Sequence, residues 1–209
     1  MKLDLQTLKT YWINLDEKTD RKENMENLFE ELNIKNHERV SAIKAQPYFY
    51  GCGMSHIKTL ERGLANGLPF LILEDDVAYT DSCSQVLDVP DGVDAVYLGS
   101  TSWPINEANA RASRMSHPLT IEQYKENFLK ISYMTSLHAV VYMSEEYVKR
   151  CIEEMHEWVV NKKWHCDVAT AEIQKDFTVI LPEGTVWFYQ NDMANLPWTK
   201  IHFRKKESV

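Results

Sequence analysis

Glycine is scarce in this chain, with seven in 209 residues, and none lies in the polar turn Asp16-Glu-Lys-Thr-Asp-Arg21 that follows the first apolar segment. That turn lacks the Gly-rich, basic loop with which nucleotidyltransferases grip phosphates, which argues against that class. Cysteine is also sparse. Cys52, Cys83, Cys151 and Cys166 form no CxxC pair, so neither a disulfide frame nor a zinc site is expected. They read as reduced thiols of a cytosolic protein, most of them acting as small buried hydrophobes. Lys and Arg number 23 against 31 Asp and Glu, a net charge of −8. A general nucleic-acid binder normally carries a basic footprint, so that function is disfavoured. A phosphate ligand stays open, because a metal ion can mediate the contact. No apolar run is long enough to span a membrane, and the start, MKLDLQTLKTYW, lacks the apolar core of a signal peptide. A cytoplasmic location is the expectation. Repeats, low-complexity stretches and linkers are missing too, so one domain over residues 1–209 is expected.

What is present is enough for a sizeable core: 44% hydrophobic and 26% charged residues over 209 positions. The most telling stretch is Leu68-Pro-Phe-Leu-Ile-Leu-Glu-Asp-Asp-Val77. Its apolar run, Phe70-Leu-Ile-Leu73, predicts a strand buried on both faces. Three carboxylates follow at once, Glu74, Asp75 and Asp76. They repel one another, and sealing them in a core without a partner would be costly. A strand ending at a cleft resolves this, with a divalent cation and a ligand's phosphates completing the charge balance. Ligands of open α/β sheets bind just beyond the carboxyl ends of strands.

The rest of the chain alternates strand and helix. Residues 11–15 (YWINL) read as a first strand. Asp20 and Glu23 have capping-box spacing, and Met25, Leu28, Phe29 and Leu32 recur as on an amphipathic helix. Residues 39–43 suit a second strand. Gly51 and Gly53 suggest a flexible loop, after which Ser55 caps a helix bearing Ile57, Leu60 and Leu64. Asn66-Gly-Leu-Pro69 ends it. Residues 94–99 and 137–143 read as strands. Residues 101–126 look irregular, a candidate active-site loop, with a helical turn or two over 121–128. Ser144 caps a helix with a stripe of Tyr147, Val148, Cys151, Met155, Trp158 and Val159. Residues 177–181 and 186–189 suit strands about a Pro182-Glu-Gly184 turn. The tail HFRKKESV is basic and expected to be exposed. The sum predicts a three-layer α/β/α domain with a mostly parallel mixed sheet.

Three segments, in order and spacing, resemble glycosyltransferase family 25, the lipooligosaccharide and collagen-type galactosyltransferases. They are Ile13-Asn-Leu-Asp16 with Asp20-Arg21, Gly51-Cys-Gly-Met-Ser-His56, and Leu71-Ile-Leu-Glu-Asp-Asp-Val77. The likeness covers roughly the first eighty residues. Later matches, Ser136-Leu-His-Ala139, Asp167-Val-Ala169 and Gln190-Asn-Asp192, are looser. The resemblance implies a GT-A-like, Rossmann-like domain, its nucleotide-sugar part about 1–100 and its acceptor side about 101–200. It also implies Mn²⁺ (or Mg²⁺) and an inverting transfer from a nucleotide-diphosphate sugar.

By the same resemblance Asp76 is the metal ligand, with Glu74 and His202 as further candidates, and Glu74 or Asp75 touches the donor. A hard cation wants such oxygen ligands; the alternative is a solvated acidic turn. The residues themselves favour His202 as a surface histidine of a basic tail over a metal ligand. Asn14 and Asp16 are placed at uracil or ribose. Arg21 is placed at the diphosphate, which a guanidinium can bind bidentately, or else it pairs with Asp20 or Glu23. Ser55 and His56 lie beside the nucleotide, or are a helix cap and a packed histidine.

Inversion needs a carboxylate to take the acceptor hydroxyl's proton. Asp167 is the first candidate, with helix N-capping as its other reading; Asp192 is the runner-up. Trp103 is a candidate sugar platform. The expected activity is a metal-dependent transfer from a nucleotide sugar, UDP-hexose above others, to a glycan or protein-glycan acceptor. A non-catalytic nucleotide-sugar or glycan-binding module is the alternative from another class.

Overall fold

The computed structural model describes residues 1–191 and 202–203. In chain order the first half contains β1 (Lys2–Asp4), β2 (Lys9–Asn14), α1 (Thr19–Glu31), β3 (His37–Ser41), α2 (Tyr48–Asn66), β4 (Phe70–Glu74), β5 (Val77–Tyr79), β6 (Val86–Asp88) and β7 (Ala95–Tyr97). The second half adds α3 (Glu107–Ala112), β8 (Thr120–Lys125), β9 (Phe128–Ser132), β10 (Ala139–Tyr142), α4 (Glu145–His156), α5 (Cys166–Ile173), β11 (Val179–Pro182), β12 (Gly184–Thr185), β13 (Phe188–Gln190) and β14 (His202–Phe203).

The main sheet has eight strands in the order β3-β2-β4-β10-β7-β11-β9-β8. Strands β3, β2 and β4 are mutually parallel, and β7 and β11 pair in parallel. β10 runs against both of its neighbours, and β9 against both of its own. Six strands therefore point one way and two the other, a mixed sheet with a predominant direction. Side chains alternate between its two faces. On one face, Tyr11, Phe70, Ile72, Val140, Tyr142 and Tyr97 meet α2, α4 and α5. On the other, Trp12, Leu71, Leu73, Val141 and Val96 meet Met25, Leu28 and Phe29 of α1. Phe70 to Leu73 are all fully buried. The doubly buried strand and the three-layer α/β/α architecture are as the sequence implied.

Several local expectations are corrected. Asp20 is not a cap: α1 begins at Thr19 behind Lys18, which makes no side-chain cap bond. Asp20 instead sits in the first turn, where a carboxylate still favours the helix dipole. Gly51 and Gly53 are helical, not a loop. α2 starts at Tyr48, seven residues before Ser55, so Ser55 lies inside it. The glycines serve close packing. A Cβ on Gly51 would stand 2.3 Å from the Ile43 carbonyl oxygen, and one on Gly53 would stand 2.4 Å from Val159 Cγ2. Residues 120–125 are a strand, not a helical turn, and α3 lies inside the segment read as irregular.

The contact at Gly51 carries a prediction. Gly51→Ala has a backbone atom, not a yielding side chain, in its way, and such overpacking costs about 1–3 kcal/mol. Chemical denaturation should report that loss.

Candidate functional site

The crossovers position the site. β2 passes through α1, on one face, to β3; β3 passes through α2, on the other face, back beyond β2 to β4. The connections diverge between β2 and β4, and their carboxyl ends open a crevice there, the place where open α/β sheets bind ligands. A cavity of about 710 Å³ occupies it. Its wall takes in Ile13 to Leu15, Lys18, Arg21, residues 42–46, the start and middle of α2, Glu74 to Asp76, residues 135–138 before β10, residues 165–167 and Gln190. Lys18, Arg21 and Lys44 give this wall positive charge beside its acids.

Each carboxylate at the end of β4 has a different partner. Glu74 Oε1 lies 3.0 Å from His56 Nε2, and Gln190 Nε2 donates to Oε2 at 3.1 Å. Asp75 accepts from Asn14 Nδ2 at 2.7 Å and from Arg21 Nη1 at 2.8 Å. Asp76 Oδ2 is 3.8 Å from the same guanidinium nitrogen. The mutual repulsion is therefore relieved within the protein by one guanidinium, one imidazole and two amides. Arg21 faces this loop and not Asp20 or Glu23 alone.

His56 is buried, and its pKa is raised to about 10: burial works against the charge, but Cys52 and Glu74 outweigh it. Glu74 is held low against its burial by His56. His138, also buried, has its pKa lowered by that burial; its Nδ1 is 3.0 Å from Ser136 Oγ.

Asn14 is a clamp. Its Oδ1 accepts from Arg39 Nε at 2.8 Å, while its amide donates to Asp75 and to the Lys18 carbonyl. Arg39 went unnoticed in the sequence, where nothing marks a contact between neighbouring parallel strands. Asp16 is not in the cavity wall; Arg39 Nη2, at 2.6 Å, and Ser41 hold its carboxylate and lower its pKa. Ser55 lines the cavity, yet its hydroxyl donates to the Gly51 carbonyl at 2.6 Å and accepts from Ile43 N–H at 2.7 Å. It acts by holding residue 43 against α2.

Asp167 is the second residue of α5, behind an N-cap at His165. It lines the cavity, its Oδ1 accepts from the Val168 N–H at 2.8 Å, and burial raises its pKa. Tyr48 and Phe49, at the start of α2, have ring centroids 5.6 and 5.7 Å from that of His165 and add an aromatic side to the wall. Trp103 is not part of it; its Nε1 donates to Ser113 Oγ at 3.0 Å. Asp192 lies outside the described residues. His202 enters only through the backbone pairing of β14 with β12, and its side chain lies outside them.

Among the described residues, no group of three or more His, Cys, Asp or Glu side chains is arranged to hold a metal ion. Glu74 is turned to His56 and Gln190, Asp75 to Asn14 and Arg21, and Asp76 stands 3.8 Å from the Arg21 guanidinium. Mg²⁺-type sites often use one or two protein carboxylates and take their remaining ligands from phosphate and water. The acid loop fits a divalent ion in that partial sense, not as a protein cage. No helix of the described residues is long and apolar enough to cross a membrane.

Fold and site together define a three-layer α/β protein with a carboxylate-bearing ligand crevice at the switch point of a mixed sheet. No family model matches the sequence, and no curated protein matches it. Among solved structures, the chain is similar to one described as a glycosyltransferase involved in the glycosylation of the major capsid of PBCV-1. Identity is 10%, coverage is 83% of this chain and 91% of that one, and the TM-score is 0.39.

Proposed function

We propose that the chain is a glycosyltransferase that binds a nucleotide-diphosphate sugar, a UDP-hexose above others, in the switch-point crevice. The observation that carries this reading is the acid loop at the end of β4, held open to the cavity by Asn14, Arg21 and His56. Its motifs are those of the family 25 resemblance.

On this reading Arg21 and Lys18 attract the diphosphate, and Asp76 is the residue that would hold a divalent ion. When bound, that ion would offset charge on the departing diphosphate. Asp167 lines the same cavity and is the proposed base. It takes the proton from an acceptor hydroxyl as that oxygen attacks the anomeric carbon opposite the nucleotide, which inverts the centre. Burial raises the Asp167 carboxyl above its ordinary range, which strengthens its carboxylate as a base. The acceptor is a glycan or glycosylated protein, for which Tyr48 and Phe49 provide apolar faces.

Thermal shift with a panel of nucleotide sugars tests the binding half. At about 100 times Kd a ligand adds about 2.7 kcal/mol, or roughly 5–10 °C in Tm for a chain of this size. A UDP-sugar with Mn²⁺ should give that rise, and Asp76→Asn should remove its metal-dependent part. The reading fails if no nucleotide gives a metal-dependent shift, or if the variant keeps the shift intact. Release of free sugar and nucleotide from the bound donor then separates an enzyme from a binding module.

A further inference from the structure

We propose that Cys52 and Cys166 are a peroxide-oxidised pair, which a hydroperoxide converts into a disulfide joining α2 to α5 across the cavity wall. The two sulfurs lie 4.0 Å apart although 114 positions separate the residues. Both line the cavity. Cys52 is exposed and Cys166 is buried, so one thiol meets a soluble oxidant and the other waits behind it. A disulfide needs about 2.05 Å between sulfurs. The remaining gap of roughly 2 Å is of the size that one χ1 change supplies.

Their electrostatics divide the work. The S–H of Cys166, and then His56, hold the Cys52 thiol below its ordinary range. The same contact pushes the Cys166 thiol well up. Cys52 is thus the attacking thiolate and Cys166 the resolving thiol. The other two cysteines lack these features. Burial pushes Cys83 up to about 12 and Cys151 higher still, and neither borders the cavity.

The chemistry balances in two steps. The Cys52 thiolate attacks one oxygen of hydrogen peroxide, forming an S–O bond and breaking the O–O bond. Cys52 becomes a sulfenic acid, and the departing hydroxide takes a proton to become water. The Cys166 sulfur then attacks the Cys52 sulfur, forming the S–S bond and breaking the S–O bond. The second hydroxide leaves with the Cys166 proton as water. Two thiols have lost two electrons, and one peroxide has become two waters.

Cys166 immediately precedes Asp167, so the bond would pin the first turn of α5. On the proposed transfer reaction that turn carries the base, and only this consequence rests on that reading; the covalent step stands without it.

Intact-mass measurement and peptide mapping of the full chain, treated with a modest excess of hydrogen peroxide, test the pair. The expected product is a monomer lighter by two hydrogens, with one Cys52–Cys166 linked peptide that dithiothreitol reverses. Closing so long a loop should raise Tm by roughly 5–15 °C. Cys166→Ser should stop at a sulfenic acid on Cys52 that dimedone traps. Cys52→Ser should slow oxidation of Cys166 by about tenfold or more. An unchanged mass, a link through Cys83 or Cys151, a linked dimer, or wild-type oxidation of Cys166 in Cys52→Ser would each overturn the proposal. Donor binding measured on the same reduced sample fails or succeeds separately, so this outcome is not confounded with that of the transferase reading.

Discussion

Asp167→Asn should slow sugar transfer by about 10²–10⁴-fold, the usual contribution of a positioned general base. That is about 3–5 kcal/mol of lost transition-state stabilisation. The amide keeps the volume of the carboxylate, and its oxygen can still accept from the Val168 N–H, so α5 should fold unchanged. Donor affinity should hardly move, because the acid loop and its partners lie elsewhere on the wall. The loss therefore falls on kcat. Burial sets the acidic limb of the wild-type profile: it should lie above 3.8, the ordinary carboxyl value, in keeping with the raised pKa of Asp167. Steady-state kinetics with a UDP-sugar and a glycan acceptor would check both points. A fall below tenfold in kcat would remove Asp167 from the role of base.

His56→Ala should cost about 3 kcal/mol of folding stability. Breaking a buried ion pair from one side leaves the other charge uncompensated, which typically costs 3–5 kcal/mol. The low end applies because the Glu74 side chain keeps 24% of its surface open, against 2% for His56. The pH dependence follows from the two partners. Glu74 is held below its ordinary 4.5, so its contribution is complete above pH 4.5 and drains as pH falls toward its folded value. His56 is raised above its ordinary 6.5 to about 10, so its contribution is complete below 6.5 and drains as pH rises through about 10. Cys52, held below its ordinary 9.0, gains stability over much of that alkaline range and offsets the loss. The acid limb is the clear one. Urea denaturation from pH 3 to 6.5 should find the wild-type advantage over His56→Ala flat above about pH 4.5 and shrinking below it. An advantage that grows in acid would contradict the assigned pairing.

The strand core was legible because its signal is local. Four successive apolar residues, Phe70 to Leu73, have no polar face to offer, and each is fully buried. The Ser144 cap was equally plain, and its Oγ accepts from the Tyr147 N–H. Errors arose where one residue type serves two physical ends. Gly51 and Gly53 read as loop formers, but here they let α2 approach residue 43 and Val159. β8 was hidden because it is an edge strand with most of its residues exposed, so no apolar alternation marks it. At the site, the acid loop and Arg21 could be read from order and spacing. The Asn14–Arg39 clamp, the Cys52–Cys166 contact and the aromatic wall at His165 depend on segments brought together only by the fold.

The strand order also bears on how the chain is made. β4 takes β2 as one neighbour, already synthesised, but its other neighbour is β10, which begins 65 positions after Glu74 at Ala139. At roughly 5–20 residues per second, that interval lasts about 3–13 s. Throughout it, a strand whose residues Phe70 to Leu73 are all fully buried in the finished fold presents an open hydrogen-bonding edge to its surroundings, which is a template for unwanted pairing. Glu74, Asp75 and Asp76 sit directly against that edge. Like charges at the end of an exposed edge disfavour its pairing with the same edge of another copy.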